Sequence, residues 1–228
     1  MGAISLEKVE HLYWLGRYTE RVFTTLQKFF EVYDNMIDEG IQGKVYPKYC
    51  ECLSIPNIYT SNKDFAMRYL FDKKNPDSLA GNMERAYDNG IVLREELSSE
   101  VLSYLQMSLD LLASAAGSGA PLFTLQPLVD DIYAFWGCVD DEVDNRECRN
   151  IMKVGRRVER LDLYLRLSYG KEETGKELSK LIHRIKETDI RFNEEKLERV
   201  IEIVNQDEIA KEERREAVRL VGEIVEVM

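Results

Sequence analysis

Two segments of this chain carry residues able to do ion-pair or acid–base chemistry at the same spacing. Gly16-Arg17-Tyr18-Thr19-Glu20-Arg21 and Gly155-Arg156-Arg157-Val158-Glu159-Arg160 both read G-R-x-x-E-R, and the second follows the first by 139 positions. A carboxylate flanked by guanidinium groups has three uses. It can serve as a general acid or base, with Glu20 and Glu159 the candidates. Its arginines can hold an anion, because the planar fork binds carboxylate or phosphate through two parallel hydrogen bonds, which makes Arg17, Arg21, Arg156 and Arg160 anion-binding candidates. Or it can be a solvated surface pair worth only about 0.2–0.5 kcal/mol.

The elements that must position these groups are helices. At about 100° per residue, Arg17, Glu20 and Arg21 share one arc of a helix, as do Arg156, Glu159 and Arg160. Nearly opposite lies an aliphatic stripe, Leu15, Val22 and Leu26 in one copy and Val154, Leu161 and Leu165 in the other. A solvated face has no use for glycine inside a helix, where it costs about 1 kcal/mol relative to alanine. Gly16 and Gly155 therefore suggest close approach of another backbone or of a ligand. The expectation is that the two Glu-Arg units meet about an internal two-fold, on antiparallel neighbouring helices at the centre of the molecule, as either a buried ionic network or an anion-binding site, with Glu20 and Glu159 each held by an arginine of its own or the opposite helix.

Composition sets the frame. The chain has 228 residues, 44% of them hydrophobic, with only 5 Pro and 13 Gly, which favours an all-α protein with a real core. A formal net charge of −11 argues against a general nucleic-acid binder. No run approaches 18 apolar residues, so no membrane span is expected, and residues 1–15 lack the apolar stretch of a secretory signal. Cys50, Cys52, Cys138 and Cys148 then read as reduced thiols in the cytoplasm. Two histidines without ligand spacing give no expectation of a metal or other cofactor.

Along the chain, Ser5 caps a first helix that runs to about Asp38. Its many aromatic residues, Tyr13, Trp14, Tyr18, Phe23, Phe29, Phe30 and Tyr33, read as core. Pro47 opens a short helix, and Ser61 or Asn62 caps another. Asn75 with Pro76 reads as a helix start, Ser98 or Ser99 as the next, and Gly117 to Pro121 as a loop. A sixth helix follows Pro127 and ends in Asp140-Asp141-Glu142-Val143-Asp144. Asp144 or Asn145 caps the helix of the second motif, which runs to about Tyr169. The fold expected is an all-α bundle of about seven helices over residues 1–170, with an internal pseudo-two-fold repeat of the G-R-x-x-E-R helix. Residues 171–228 form a charged extension of two or three amphipathic helices that packs on the bundle or on a partner.

Three segments resemble a known family, the bacterial alpha-E domain. They are Tyr13 to Arg21; Asn75-Pro76-Asp77-Ser78-Leu79 with Arg85, Asn89, Arg94-Glu95 and Ser98-Ser99-Glu100; and Val154 to Arg160. The resemblance covers about residues 5–170. It implies a cytoplasmic helical protein associated with a circularly permuted ATP-grasp protein and a transglutaminase-like cysteine peptidase, in a peptide synthesis or modification system, with no reaction assigned to the alpha-E domain itself.

The function expected on this basis is an accessory or scaffold component of such a system, binding the ATP-grasp protein and the peptidase or associating with itself. The alternative is an enzyme on an anionic substrate, with Arg85 and Arg94 of the middle segment joining the four motif arginines. A remote alternative rests on Asp140-Asp141-Glu142-Val143-Asp144, which matches the D-D-x-x-D of helical prenyl-diphosphate enzymes that hold magnesium on aspartates.

Overall fold

The computed structural model describes residues 4–40, 43–118 and 121–227. Ten helices lie there: α1 (Leu6–Glu39), α2 (Tyr46–Leu53), α3 (Asn62–Phe71), α4 (Leu79–Val92), α5 (Ser99–Ala116), α6 (Pro121–Glu142), α7 (Arg146–Arg166), α8 (Lys171–Lys186), α9 (Glu194–Val204) and α10 (Lys211–Glu223). The described residues contain no strand, only an isolated bridge between Phe192 and Val225. The all-α class is as expected, with the second motif on the seventh helix and three helices beyond it.

Most helix starts follow their caps. The side chains of Ser5, Ser61, Ser98 and Asn145 each accept a backbone N–H from the first turn of α1, α3, α5 and α7. Two starts differ from expectation. The cap of α4 is Ser78, whose hydroxyl accepts from Gly81 N at 2.9 Å and donates to the Asp72 carbonyl at 2.7 Å. Asn75 instead folds the preceding turn, accepting from Asp77 N and donating to the Tyr59 hydroxyl. The helix α6 begins at Pro121 and carries Pro127 inside it, six residues in, where the ring removes the N–H that would bond the Phe123 carbonyl. The expected loop from Gly117 shortens accordingly, and its Gly119 and Ala120 lie outside the described residues. The second-motif helix stops at Arg166, short of Tyr169, and Ser168 follows with φ 57°.

The centre of the molecule is α1 against α7, with α4 on a second side of α1; α5 and α6 pair with each other, and α8 and α10 pack on α7. The aliphatic residues Leu15, Val22, Leu26, Val154, Leu161 and Leu165 are all fully buried. Aromatic rings join the short helices to α1: Phe29, Tyr46, Tyr49, Phe65 and Tyr69 form one cluster with centroids 5.0–6.4 Å apart. Core packing is thus what the aromatic residues of α1 mostly do. Tyr13, Phe23 and Phe29 are buried, while Trp14, Tyr18, Phe30 and Tyr33 pack at the margin.

One orientation is corrected. The helices α1 and α7 run parallel. Near the start of each, Lys8 and Cys148 reach the same carboxylate, Glu96, and further along Arg17 and Arg21 reach Glu159 while Arg156 and Arg160 reach Glu20. A two-fold axis running along a helix pair relates parallel helices. The 106 residues between Glu39 and Arg146, folded as α2 to α6, return the chain to the starting end.

Candidate functional site: the crossed Glu-Arg motifs

The crossing is set by the two motif glycines. A Cβ on Gly16 would overlap the Met152 carbonyl oxygen and lie 3.1 Å from Arg156 N. A Cβ on Gly155 would overlap the Tyr13 carbonyl oxygen and lie 3.3 Å from Arg17 N. Adding 139 to Tyr13, Gly16 and Arg17 gives Met152, Gly155 and Arg156, so each contact is the other with the helices exchanged. Backbone approach this close requires glycine on both sides.

The close crossing turns the charged faces toward each other. Glu159 accepts Nε–H of Arg17 at 2.7 Å and of Arg21 at 2.5 Å. Glu20 accepts Nε–H of Arg156 at 3.0 Å and two bonds from Arg160 at 2.6 and 2.9 Å. Each glutamate is held by two arginines of the opposite helix and neither has exposed surface. The motif is therefore a reciprocal clamp, with no arginine paired to the glutamate of its own helix. Charges buried this way are tolerable only because every one is paired and hydrogen-bonded. Burial opposes ionisation of Glu159, but the positive charges of Arg21 and Arg17 outweigh it and bring its pKa down to about 2. Burial likewise works against the charge on Arg17 and Arg160, and their glutamate partners more than restore it. For Arg156 burial wins, and its pKa is lowered despite Glu20.

Aromatic faces cover the guanidinium groups. Arg17 lies over Trp14 at 5.0 Å, Arg156 over Trp136 at 4.4 Å and Arg160 over Phe23 at 5.5 Å. Trp14 stacks on Tyr18 at 5.3 Å, and Arg85 of α4 lies over Tyr18 at 5.6 Å while donating to the Pro76 carbonyl at 2.9 Å. The structure thus gathers Arg17, Glu20, Arg21, Arg156, Glu159 and Arg160 into one assembly and ties Arg85 to its edge. Arg94 is left exposed on the turn after α4. The other middle-segment residues brace α1: Asn89 hydrogen-bonds His11 at 2.7 Å, and Glu96, next to the expected Glu95, takes Lys8.

Several participants were not singled out from sequence. Thr24 donates to Glu20 at 2.6 Å. Asp162 pairs with Arg166 at 2.7 Å, and its pKa is raised by burial and by the neighbouring Glu159. Glu177 of α8 takes Arg157 at 2.7 Å and Lys180 at 2.5 Å. The four-residue spacings of Glu20 with Thr24 and of Asp162 with Arg166, and the three-residue spacing of Glu177 with Lys180, were legible signals; the reach of Glu177 to Arg157, 20 residues away, was not. At the end of α6, Asp140 pairs with Lys153, and among the described residues no group of three or more His, Cys, Asp or Glu is placed to hold a metal ion.

On the Glu159 side the clamp opens onto a cleft of about 250 Å³. Arg21, Asp77, Glu159, Asp162 and Arg166 line it, together with Tyr69 and Ser54. Residues of both motif copies and of the Asn75–Leu79 segment therefore meet at one opening.

An all-α fold whose two central helices interlock through exchanged Glu-Arg pairs defines a helical domain built on that motif. The Alpha-E family, described as a predicted alpha-helical domain with a conserved ER motif, matches residues 8–205, and the chain belongs to it. The match runs past Gly170 through α8 and α9. No curated protein and no solved structure matches the chain. Among the described residues no helix is long and apolar enough to cross a membrane.

Proposed function

We propose that this chain is an accessory, scaffold-type component of an ATP-grasp-linked peptide synthesis or modification system, and that its paired motifs hold the fold together rather than carry a reaction. The observation behind this reading is the reciprocal clamp: Glu20 and Glu159 are fully buried, and each is bound by two guanidinium groups. To act as a general acid or base, either would first have to leave two charged partners. A pKa near 2 also places Glu159 far from the neutral range where such a group works best. The link to an ATP-grasp protein and a transglutaminase-like peptidase comes from family resemblance, and both are the proposed partners. Self-association is the alternative. The magnesium reading is the least supported, since Asp140 of its aspartate run pairs with Lys153.

The test is a pull-down of the ATP-grasp protein and the peptidase with the intact chain, repeated with Glu20→Gln and Glu159→Gln. The scaffold reading expects partner binding and pathway output to fall only as far as each variant unfolds, and to return at temperatures where the variant is folded. A folded variant that binds its partners normally yet gives no pathway product would overturn it in favour of an enzyme acting on an anionic substrate.

A further inference from the structure

The cleft beside Glu159 contains two charged groups that the fold leaves unused. Arg21 spends only its Nε–H on Glu159; neither terminal nitrogen has a hydrogen-bond partner among the described residues, and the side chain is 32% exposed. Its pseudo-symmetric counterpart Arg160 is 13% exposed and binds Glu20 through both Nε and a terminal nitrogen. Asp77 is the second group. Its backbone N–H is fixed by Asn75 at 3.0 Å, but its carboxylate carries no ion pair or hydrogen bond among the described residues. The other charges lining the cleft are already matched. Arg166 is spent on Asp162 and on the Leu53 carbonyl, and Glu159 on Arg17 and Arg21. What remains is one guanidinium fork and one carboxylate on a single opening of about 250 Å³. That is just below the range usual for drug-sized ligands.

The fork is shaped for a carboxylate, and the free Asp77 carboxylate suits an ammonium group. Holding only an anion would leave Asp77 opposing it, and holding only a cation would do the same with Arg21. From this pairing we infer that the cleft is a binding site for a small zwitterion of the amino-acid class, its carboxylate on Arg21 and its ammonium on Asp77. Thr25, Ser54 and Tyr69, with the apolar Leu53, Ile55 and Leu163, line the rest of the cleft. The site does not depend on the scaffold reading, because it uses donors and acceptors that the clamp does not need.

The experiment titrates the full chain by calorimetry and NMR with the free amino acids, then with their N-acetyl derivatives (carboxylate only) and their amides (ammonium only). The expected result is that at least one amino acid binds, that each single-charge analogue binds about tenfold or more weakly, and that backbone shifts move at Ser54, Ile55 and Asp77. Asp77→Asn should weaken the amino acid about tenfold or more while its melting curve matches the parent's, since no contact of the carboxylate is lost. The inference is overturned if no amino acid binds, if the N-acetyl derivative binds as tightly as the amino acid (the signature of a plain anion or peptide C-terminus site), if Asp77→Asn binds like the parent, or if the shifts map away from the cleft.

Discussion

The two halves of the Glu-Arg clamp obey one motif and differ in their surroundings. Around Glu20, Thr24 adds a third kind of donor, Phe23 covers Arg160 and Trp136 covers Arg156. Around Glu159, the positions 139 later hold Leu163 and Asp162 in place of Thr24 and Phe23, so the hydroxyl is missing and a second carboxylate stands where the ring would be. Arg21 is correspondingly more exposed than Arg160. A repeated motif therefore fixes the ion pairs, and its neighbours decide whether the site is sealed or open.

The largest expected effect tests what the halves share. Gly16→Ala or Gly155→Ala places a methyl into an opposing carbonyl, which must push the helices apart and loosen all four arginine contacts. Each should cost more than about 5 kcal/mol or abolish folding, read by urea melts. A mild cost at only one of the two glycines would break the equivalence of the halves.

Removing a glutamate separates them. Glu20→Gln strands Arg156 and Arg160 in a closed setting and should cost near the top of the roughly 3–5 kcal/mol range for breaking a buried pair. Glu159→Gln should fall near the bottom, because Asp162 lies close by and Arg21 already reaches solvent. Because both act on one helix crossing, the double variant should cost less than the sum. Equal single costs with strict additivity would mean that the surroundings do not matter.

Acid should strain the open half. The folded pKa of Glu159, about 2, lies below its ordinary value of 4.5. Its contribution is therefore present above pH 4.5 and drains away as pH falls toward 2, about 3 kcal/mol in all. Asp162 has the opposite sign. Its folded pKa is raised above the ordinary 3.8, so the folded state takes up that proton more readily than the unfolded chain and the fold gains as acid protonates it. Asp162→Asn should then steepen the loss of stability below pH 4.5 in melts run across pH; an unchanged acid limb would show that the two carboxyls do not oppose each other.

The smallest effect compares single arginines. Arg160→Ala should cost about 3 kcal/mol, as a doubly bonded and covered partner of a buried charge, and Arg21→Ala about 1 kcal/mol. Matching losses in denaturant melts would show that the clamp holds Arg21 as firmly as Arg160 despite its greater exposure.

Much of this architecture was legible in the residues. The helical class, the cap at Ser5, the neighbouring pairs Ser61/Asn62, Ser98/Ser99 and Asp144/Asn145 from which the structure takes Ser61, Ser98 and Asn145, the buried aliphatic stripes and the need for close approach at Gly16 and Gly155 follow from period, cap chemistry and the cost of glycine in a helix, all local properties. The start of α4 was misplaced by three residues because Asn75-Pro76 and Ser78 are both good local signals, and only the Gly81 and Asp72 backbone contacts select Ser78. Pro127 misled in the same way, since its place inside α6 depends on packing against α5. Tertiary structure alone decided the parallel run of α1 and α7, the exchange of partners between the motifs, and the meeting of Asp77 with Arg21. Each joins residues far apart in the chain, and sequence spacing carries no record of which helix face will oppose which. The same six letters permit a solvated stripe, a pair within one helix or a clamp between two. The choice fell to the glycine crossing, which brings the helices so close that each glutamate finds its nearest cations on the other one.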